Sequence, residues 1–373
     1  MSAHTDERVI GIIGGGQLAQ MLAQSVRPMG VRCVVLDPNP ESCAQSDAEL
    51  ITAEYTDAGA LAELAERCDV ITYEFENVPA RATDALSGKA AVHPNPEALR
   101  VAQDRLNERT MFAELGIDTP AYRAIGSIDD LRTALGQIGA PALLKARTLG
   151  YDGKGQVLVS DARHAEESWN TLGGVPAILD EFVPFARELS IIAVRAQDGG
   201  VAFYPLSENI HRGGILRVSK APARDVGEHL RAQAQNAATN ILNHLDYVGV
   251  LAVEFFQIGS GDDAHLVANE IAPRVHNTGH WTIEGAQTSQ FENHMRAVMG
   301  VELGSTDPVG SSAMVNIIGD EPRAGALEAV PEARVHMYGK APRAGRKIGH
   351  VTLNAQSEPE LDALLERFTR VVG

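Results

Sequence analysis

The stretch Lys145-Ala-Arg-Thr-Leu-Gly-Tyr-Asp-Gly-Lys-Gly-Gln156 decides how the rest of the chain is read. It follows Ala140-Pro-Ala-Leu-Leu144, a short apolar run that ends on Lys145, and Val157-Leu-Val159 resumes the strand pattern beyond it. Gly150, Gly153 and Gly155 fall within six residues, interleaved with Tyr151, Asp152 and Lys154. Strand, glycine-rich loop, strand predicts a hairpin-like mobile flap. Glycines let backbone N–H groups approach phosphate oxygens with no Cβ in the way. Lys145 at a strand end and Lys154 on the loop can supply charge to a polyphosphate. The alternative is a surface hairpin with solvated charges. Carboxylates and a basic cluster farther along favour the phosphate reading, because they need the same ligand.

At 373 residues the chain exceeds what one hydrophobic core supports, so two or three domains are expected. No apolar run approaches the ~18 residues of a membrane span. The polar start, Met1 to Arg8, leads straight into a strand pattern, so no signal peptide is expected. Cys33, Cys43 and Cys68 are odd in number and lack metal-ligand spacing, which fits a reduced, cytoplasmic protein. A net charge of −17 argues against nonspecific nucleic-acid or anionic-membrane binding. It also makes local basic clusters informative, because they are held against the overall field.

The first hundred residues predict a doubly wound parallel sheet. Arg8 to Ile13, Val31 to Asp37 and Asp69 to Glu76 read as strands, and Gly14-Gly-Gly-Gln17 opens a helix. Gly14, Gly16 and Ala19, with Asp37 beyond, match the dinucleotide fingerprint in its Gly/Ala variant. The same turn serves any phosphate at a helix N-terminus, or no ligand at all. Pro94-Asn-Pro96 marks a boundary, and a single helix from Glu97 to Leu115 is expected to carry Arg105. A flap unit would occupy 101–205 and a C-terminal unit 206–373. The latter holds helices near 225–245 and 286–299, a hairpin over 250–271 and a closing strand, loop, strand and helix.

Leu251 to Ile258 and Ala264 to Ile271 flank a turn at 259–263. A turn centred near Asp262 places Ile258 opposite Leu266, Phe256 opposite Ala268 and Glu254 opposite Glu270, all on one face. Two opposed carboxylates on an apolar face repel, and a divalent cation between them removes the repulsion. Carboxylate oxygens plus a substrate phosphate suit Mg²⁺. Solvated acids are the alternative, and a one-residue bulge would break the register. Arg274, His276 and Asn277 follow within a few residues, and a guanidinium there can bind a small oxyanion. The tail loop Tyr338 to Gly349 holds Lys340, Arg343, Arg346 and Lys347, which reads as a second phosphate site or as a solvated charge run.

Together Lys145, Tyr151 to Gln156, Glu254, Asn269-Glu270 and the segment to Trp281 resemble the ATP-grasp superfamily. Within it the chain resembles the N5-carboxyaminoimidazole ribonucleotide synthase family, the ATP-dependent carboxylases of purine biosynthesis. Gly14 to Leu18, Tyr73 to Asn77, Gln103 to Arg105, Pro205 to His211, Ala272 to Trp281 and Tyr338 to His350 extend the resemblance over nearly the whole chain. It implies an α/β fold of three domains: a doubly wound N-terminal sheet, a small α+β lid and a larger α+β C-terminal domain.

The resemblance also implies roles. Arg105 and Lys145 would contact ATP phosphates, and Gly150, Tyr151, Asp152, Gly153, Lys154, Gly155 and Gln156 would close over them. Asp180, Glu181, Phe182 and Val183 would form the linker that holds adenine by backbone groups. Glu188 would take the ribose, with His211 and Asn269 near the nucleotide. Glu254 and Glu270 would hold Mg²⁺. Gln17, Glu76, Tyr151, Asp152, Lys154, Arg274, His276, Asn277, Lys340, Arg346 and Lys347 would surround aminoimidazole ribonucleotide and the reacting oxyanion. Bicarbonate is the implied co-substrate, carboxyphosphate the intermediate and a homodimer the implied assembly. Asp180 stands where relatives usually have Glu. Ala146 and Leu149 stand where Thr and Gly are common, and Lys154 where Arg also occurs. Competing readings are a formate-using transformylase or amino-acid ligase within ATP-grasp, an NAD(P)-dependent oxidoreductase and a non-catalytic nucleotide sensor.

Overall fold

The computed structural model describes residues 8–86, 88–150, 155–322, 325 and 327–372. Among them, no helix is long and apolar enough to cross a membrane. Three sheets organise the chain. The first has five parallel strands in the order Glu49–Thr52, Arg32–Asp37, Val9–Ile13, Val70–Tyr73, Ala91–Val92. The continuous apolar runs of its central strands are buried on both faces, as a parallel sheet requires.

The second sheet is antiparallel, ordered Tyr122–Ile125, Ala177–Glu181, Ala142–Ala146, Gln156–Val159. Its inner strands hold Lys145 and Asp180. Lys145 pairs with Ile178, two residues from Asp180, so both side chains rise from the same face. The third sheet has nine strands. Its strand Arg187–Arg195 pairs along its whole length with Gly249–Ile258, and Val201–Phe203 pairs with it too. The boundary expected at residue 205 falls inside this sheet, between the strands Val201–Phe203 and Ser207–Arg212.

The first and third sheets share a core. Ile10, Leu22 and Val35 pack in one apolar cluster with Val250, Trp281, Phe291 and Met295, all buried. His294 adds a polar tie: its ring bonds Val250 N at 3.1 Å and lies 2.8 Å from Thr72 Oγ1. The lid sheet keeps a separate small core around Leu131, Leu144 and Leu179.

The helix expected from Glu97 to Leu115 is two helices, Pro96–Ala102 and Arg105–Glu114. Asp104 breaks it by turning its carboxylate onto the N–H of Leu106, capping the second helix. Arg105 thus stands at a helix start rather than mid-helix.

Candidate active site

The hairpin strands Gly249–Ile258 and His265–Ala272 place Glu254 directly opposite Glu270. The rest of the expected register is shifted by one. Phe255 faces Ala268 and Ile258 faces His265, so Asn269 is an extra residue on its strand. Leu266 and Ala268 consequently join Phe255 in the core on the other face. Phe256, not Leu266 or Ala268, shares the glutamates' face, and its ring stacks on Phe185 at 4.7 Å.

Burial and the neighbouring Glu270 charge push the Glu254 carboxyl above its usual range. Burial pushes Glu270 the same way, but the Arg105 and Lys145 charges outweigh it and hold Glu270 low. Arg105 Nη1 lies 3.0 Å from Glu270 Oε2. Among the described residues, no three His, Cys, Asp or Glu side chains form an all-protein metal cage. Two crowded carboxylates, with the buried Asn269 Oδ1, unpartnered among the described residues, beside them in sequence, fit an ion that completes its shell with substrate oxygens.

Lys145 is buried and its Nζ contacts Asp180 Oδ2 at 2.9 Å. Arg109, fully buried, reaches the same oxygen at 3.1 Å and the carbonyl of Asn269 at 2.6 Å. Arg109 therefore ties the lid strand to the bulge beside Glu270. Asp180 and Glu181 end the strand Ala177–Glu181, with the Asp180 carboxylate held beneath two cations. Phe182 and Val183 do lie in the connection to the next sheet, with Phe182 exposed.

His276 Nε2 lies 3.3 Å from Glu254 Oε1. Burial and the Arg274 charge push its imidazole down to about 3, so the ring is neutral. Gln290 fixes the backbone here, accepting from His276 N at 2.9 Å and donating to its carbonyl at 2.6 Å. Arg274 Nε donates to Glu76 Oε2, and Nη1 donates to the Val275 carbonyl at 3.1 Å. Burial raises the Glu76 carboxyl, but the Arg274 guanidinium outweighs it and brings the group to about 2. Asn277 Oδ1 is buried without a partner among the described residues. His211 Nδ1 lies 2.7 Å from Glu188 Oε2 on the neighbouring strand.

The tail loop folds back onto the start of the helix Gln17–Val26. Lys340 donates to Gln17 Oε1, and the charges of Lys340 and Arg346 both act on Cys43. Lys347 opens the strand Lys347–Ala355, and its charge acts on His276. Gly150, Gly155 and Gln156 flank the flap, and Gly155 takes a left-handed φ of 71° while its carbonyl accepts from Ala146 N. Tyr151, Asp152, Gly153 and Lys154 lie outside the described residues.

The dinucleotide reading fails on the first helix. Asp37 Oδ2 accepts from Gly15 N at 2.6 Å, while Glu74 accepts from Gly16 N at 2.8 Å and Ala19 N at 3.2 Å. Two carboxylates of the chain itself occupy the helix N-terminus and would repel a pyrophosphate there. A Cβ at Gly16 would collide with the Glu74 carboxylate, so the glycine serves this contact. Arg109 and Gln290 escaped sequence reading, because each acts through a contact distant in sequence; Glu74 lies inside the stretch Tyr73 to Asn77, but the resemblance gives it no role.

Comparison with known proteins agrees with this geometry. Residues 8–103 match the ribonucleotide synthetase preATP-grasp domain, 110–291 the ATP-grasp domain, and 312–364 the phosphoribosylaminoimidazole carboxylase C-terminal domain. The N5-carboxyaminoimidazole ribonucleotide synthase of Pseudomonas aeruginosa is 51% identical over 97% of this chain and 99% of its own length. That of Bacillus subtilis is 40% identical over 94% and 93%. The crystal structure of the Thermus thermophilus synthetase superposes with a TM-score of 0.92 at 51% identity, covering 98% of both chains. The Aspergillus clavatus enzyme, in complex with ADP and 5-aminoimidazole ribonucleotide, gives 0.90 at 31% identity, again over 98% of both. The chain belongs to the N5-carboxyaminoimidazole ribonucleotide synthase family of ATP-grasp ligases.

Proposed function

We propose that this enzyme uses ATP and bicarbonate to carboxylate the exocyclic amine of 5-aminoimidazole ribonucleotide, releasing ADP and phosphate. The observation that carries the proposal is the meeting of three charge systems at one seam. They are Lys145 and Arg105 on the nucleotide side, Glu254 opposite Glu270 at the centre, and Arg274 with Lys340 on the far side.

A bicarbonate oxygen attacks the γ-phosphorus, and the bond to the β,γ-bridging oxygen breaks to give carboxyphosphate and ADP. Lys145 and Arg105 bear the charge of the moving phosphoryl group. Magnesium held by Glu254 and Glu270 would neutralise phosphate charge when bound. Carboxyphosphate releases CO₂ and inorganic phosphate, and the amine nitrogen attacks the CO₂ carbon. Asp152, working through Tyr151, takes the proton that the nitrogen loses. Arg274, His276 and Asn277 hold the oxyanion, while Gln17, Glu76, Lys340, Arg346 and Lys347 seat the ribonucleotide. The flap 150–156 shields carboxyphosphate from water. Phe182 and Val183 line the adenine site, with Glu188, His211 and Asn269 along the ribose and phosphates.

The working enzyme is taken as a cytoplasmic homodimer with three domains per chain, divided near residues 100 and 186. ADP release measured with aminoimidazole ribonucleotide, with and without bicarbonate, tests the reading. Turnover that needs both substrates supports it, and turnover with formate in place of bicarbonate overturns it.

A further inference from the structure

Behind His276 a row of buried polar side chains crosses three strands of the large sheet and ends on the turn Asn277–Gly279. Ser219, Asn209, Ser190 and Thr278 are each at most 5% exposed. Ser219 stands opposite Asn209, and Ser190 stands opposite Glu254. Ser219 Oγ donates to Asn209 Oδ1 at 2.7 Å, and Asn209 Nδ2 donates to Ser190 Oγ at 3.0 Å. Ser190 Oγ donates to Thr278 Oγ1 at 2.9 Å, and Thr278 Oγ1 lies 2.9 Å from His276 Nδ1.

A hydroxyl carries one hydrogen, so the direction of such a chain is set where a group has no choice. The Asn209 amide sets it here: its carbonyl oxygen is turned toward the Ser219 hydroxyl and its nitrogen, a donor only, toward Ser190. The Ser190 hydrogen is then committed to Thr278. Among the described residues Thr278 Oγ1 has no other acceptor for its own hydrogen than His276 Nδ1. With the amide so turned, the reverse direction would leave the buried Ser190 hydrogen facing an N–H donor instead of an acceptor.

We infer that Asn209, Ser190 and Thr278 are positioning residues that fix the tautomer of His276, placing its proton on Nε2. The imidazole then presents a donor toward Glu254, 3.3 Å away, and toward the reacting oxyanion, and never a lone pair. This rests on His276 lying in the carboxylation site, but the tautomer is measurable apart from turnover.

Nitrogen-15 NMR of histidine-labelled full-length protein reads it directly, with the His276 signals identified by their loss in His276→Gln. The wild type should show Nε2 protonated and Nδ1 unprotonated. Asn209→Asp should reverse this. A carboxylate accepts from both serines, so the Ser190 and Thr278 hydrogens turn round and Nδ1 becomes the donor. Its kcat should fall roughly 10–100-fold with the KM for ATP nearly constant. Thr278→Val should show the same split, and Thr278→Ser should restore most of the loss. A wild-type Nδ1–H tautomer, an unreversed Asn209→Asp, or equal rates for Thr278→Val and Thr278→Ser would each overturn the inference. Absence of turnover with aminoimidazole ribonucleotide in the wild type would instead sink the functional reading and leave the tautomer result standing.

Discussion

Glu254 and Glu270 oppose each other at the last hairpin position before the extra residue Asn269 shifts the register. The bulge lets this face carry acids while the next residues of the same strand turn into the core. Removing one carboxylate should weaken Mg²⁺ binding about tenfold or more, about 1.4 kcal/mol. The Mg²⁺ dependence of ADP release in Glu254→Gln and Glu270→Gln measures this, and an unchanged dependence in the double variant would end the metal assignment. A second readout has the opposite sign. The Glu254 carboxyl is raised in the fold, so the metal-free protein loses stability as pH climbs past the ordinary carboxylate range. Glu254→Gln abolishes that loss, and metal-free Tm at neutral pH should rise.

Asp180 lies beneath Lys145 and Arg109, each within 3.1 Å of the same oxygen. Asp180→Ala would leave two buried cations without their shared partner, a loss on the order of 3–5 kcal/mol. Urea unfolding should show it, together with a raised KM for ATP because Lys145 loses its anchor. A change under about 1 kcal/mol would mean that water or another acid replaces the carboxylate.

Much of this site is legible in the residues alone. The Glu254–Glu270 pairing follows from period-two alternation, and the paired strands on either side of residues 150–156 follow from two apolar runs broken by glycines. The bulge at Asn269 is not legible, because an inserted residue leaves no mark on a strand that is apolar on both sides of it. The helix break at Asp104 is hidden because a capping carboxylate and an exposed helical acid read alike. Arg109 and Gln290 take their roles from contacts 71 and 14 residues away, which local pattern does not encode. The glycine turn at residues 14–16 misleads in the other direction. Its fingerprint is genuine, but Asp37 and Glu74 fill the position that a phosphate would take.

His294 ties the two large sheets together in its neutral form, accepting from Val250 N. Burial pushes its pKa from the ordinary 6.5 down to about 3. Between those values the unfolded chain binds a proton that the native site refuses. Stability is therefore fully present above about pH 6.5 and falls by about 1.4 kcal/mol per pH unit below it, until the native histidine also titrates. His294→Gln should remove that part of the slope. Urea unfolding at pH 7, 6 and 5 checks it, and parallel slopes for variant and wild type would refute it.

Arg274 divides its guanidinium: Nε goes to Glu76 and Nη1 to the Val275 carbonyl, and Nη2 is the nitrogen we propose for the oxyanion. A lysine ammonium has one nitrogen and no planar fork, so it cannot stay on Glu76 and reach the reacting centre together. Arg274→Lys should therefore keep the fold and the KM for ATP while kcat for the carboxylated product falls roughly 100-fold. Glu76→Gln separates anchoring from charge: it keeps an acceptor for Nε but frees the guanidinium from its strongest partner. Its effect should fall on the KM for the ribonucleotide more than on kcat. Product formation and ADP release assayed side by side decide the matter. Equal losses in both for Arg274→Lys would place Arg274 on the ATP step alone.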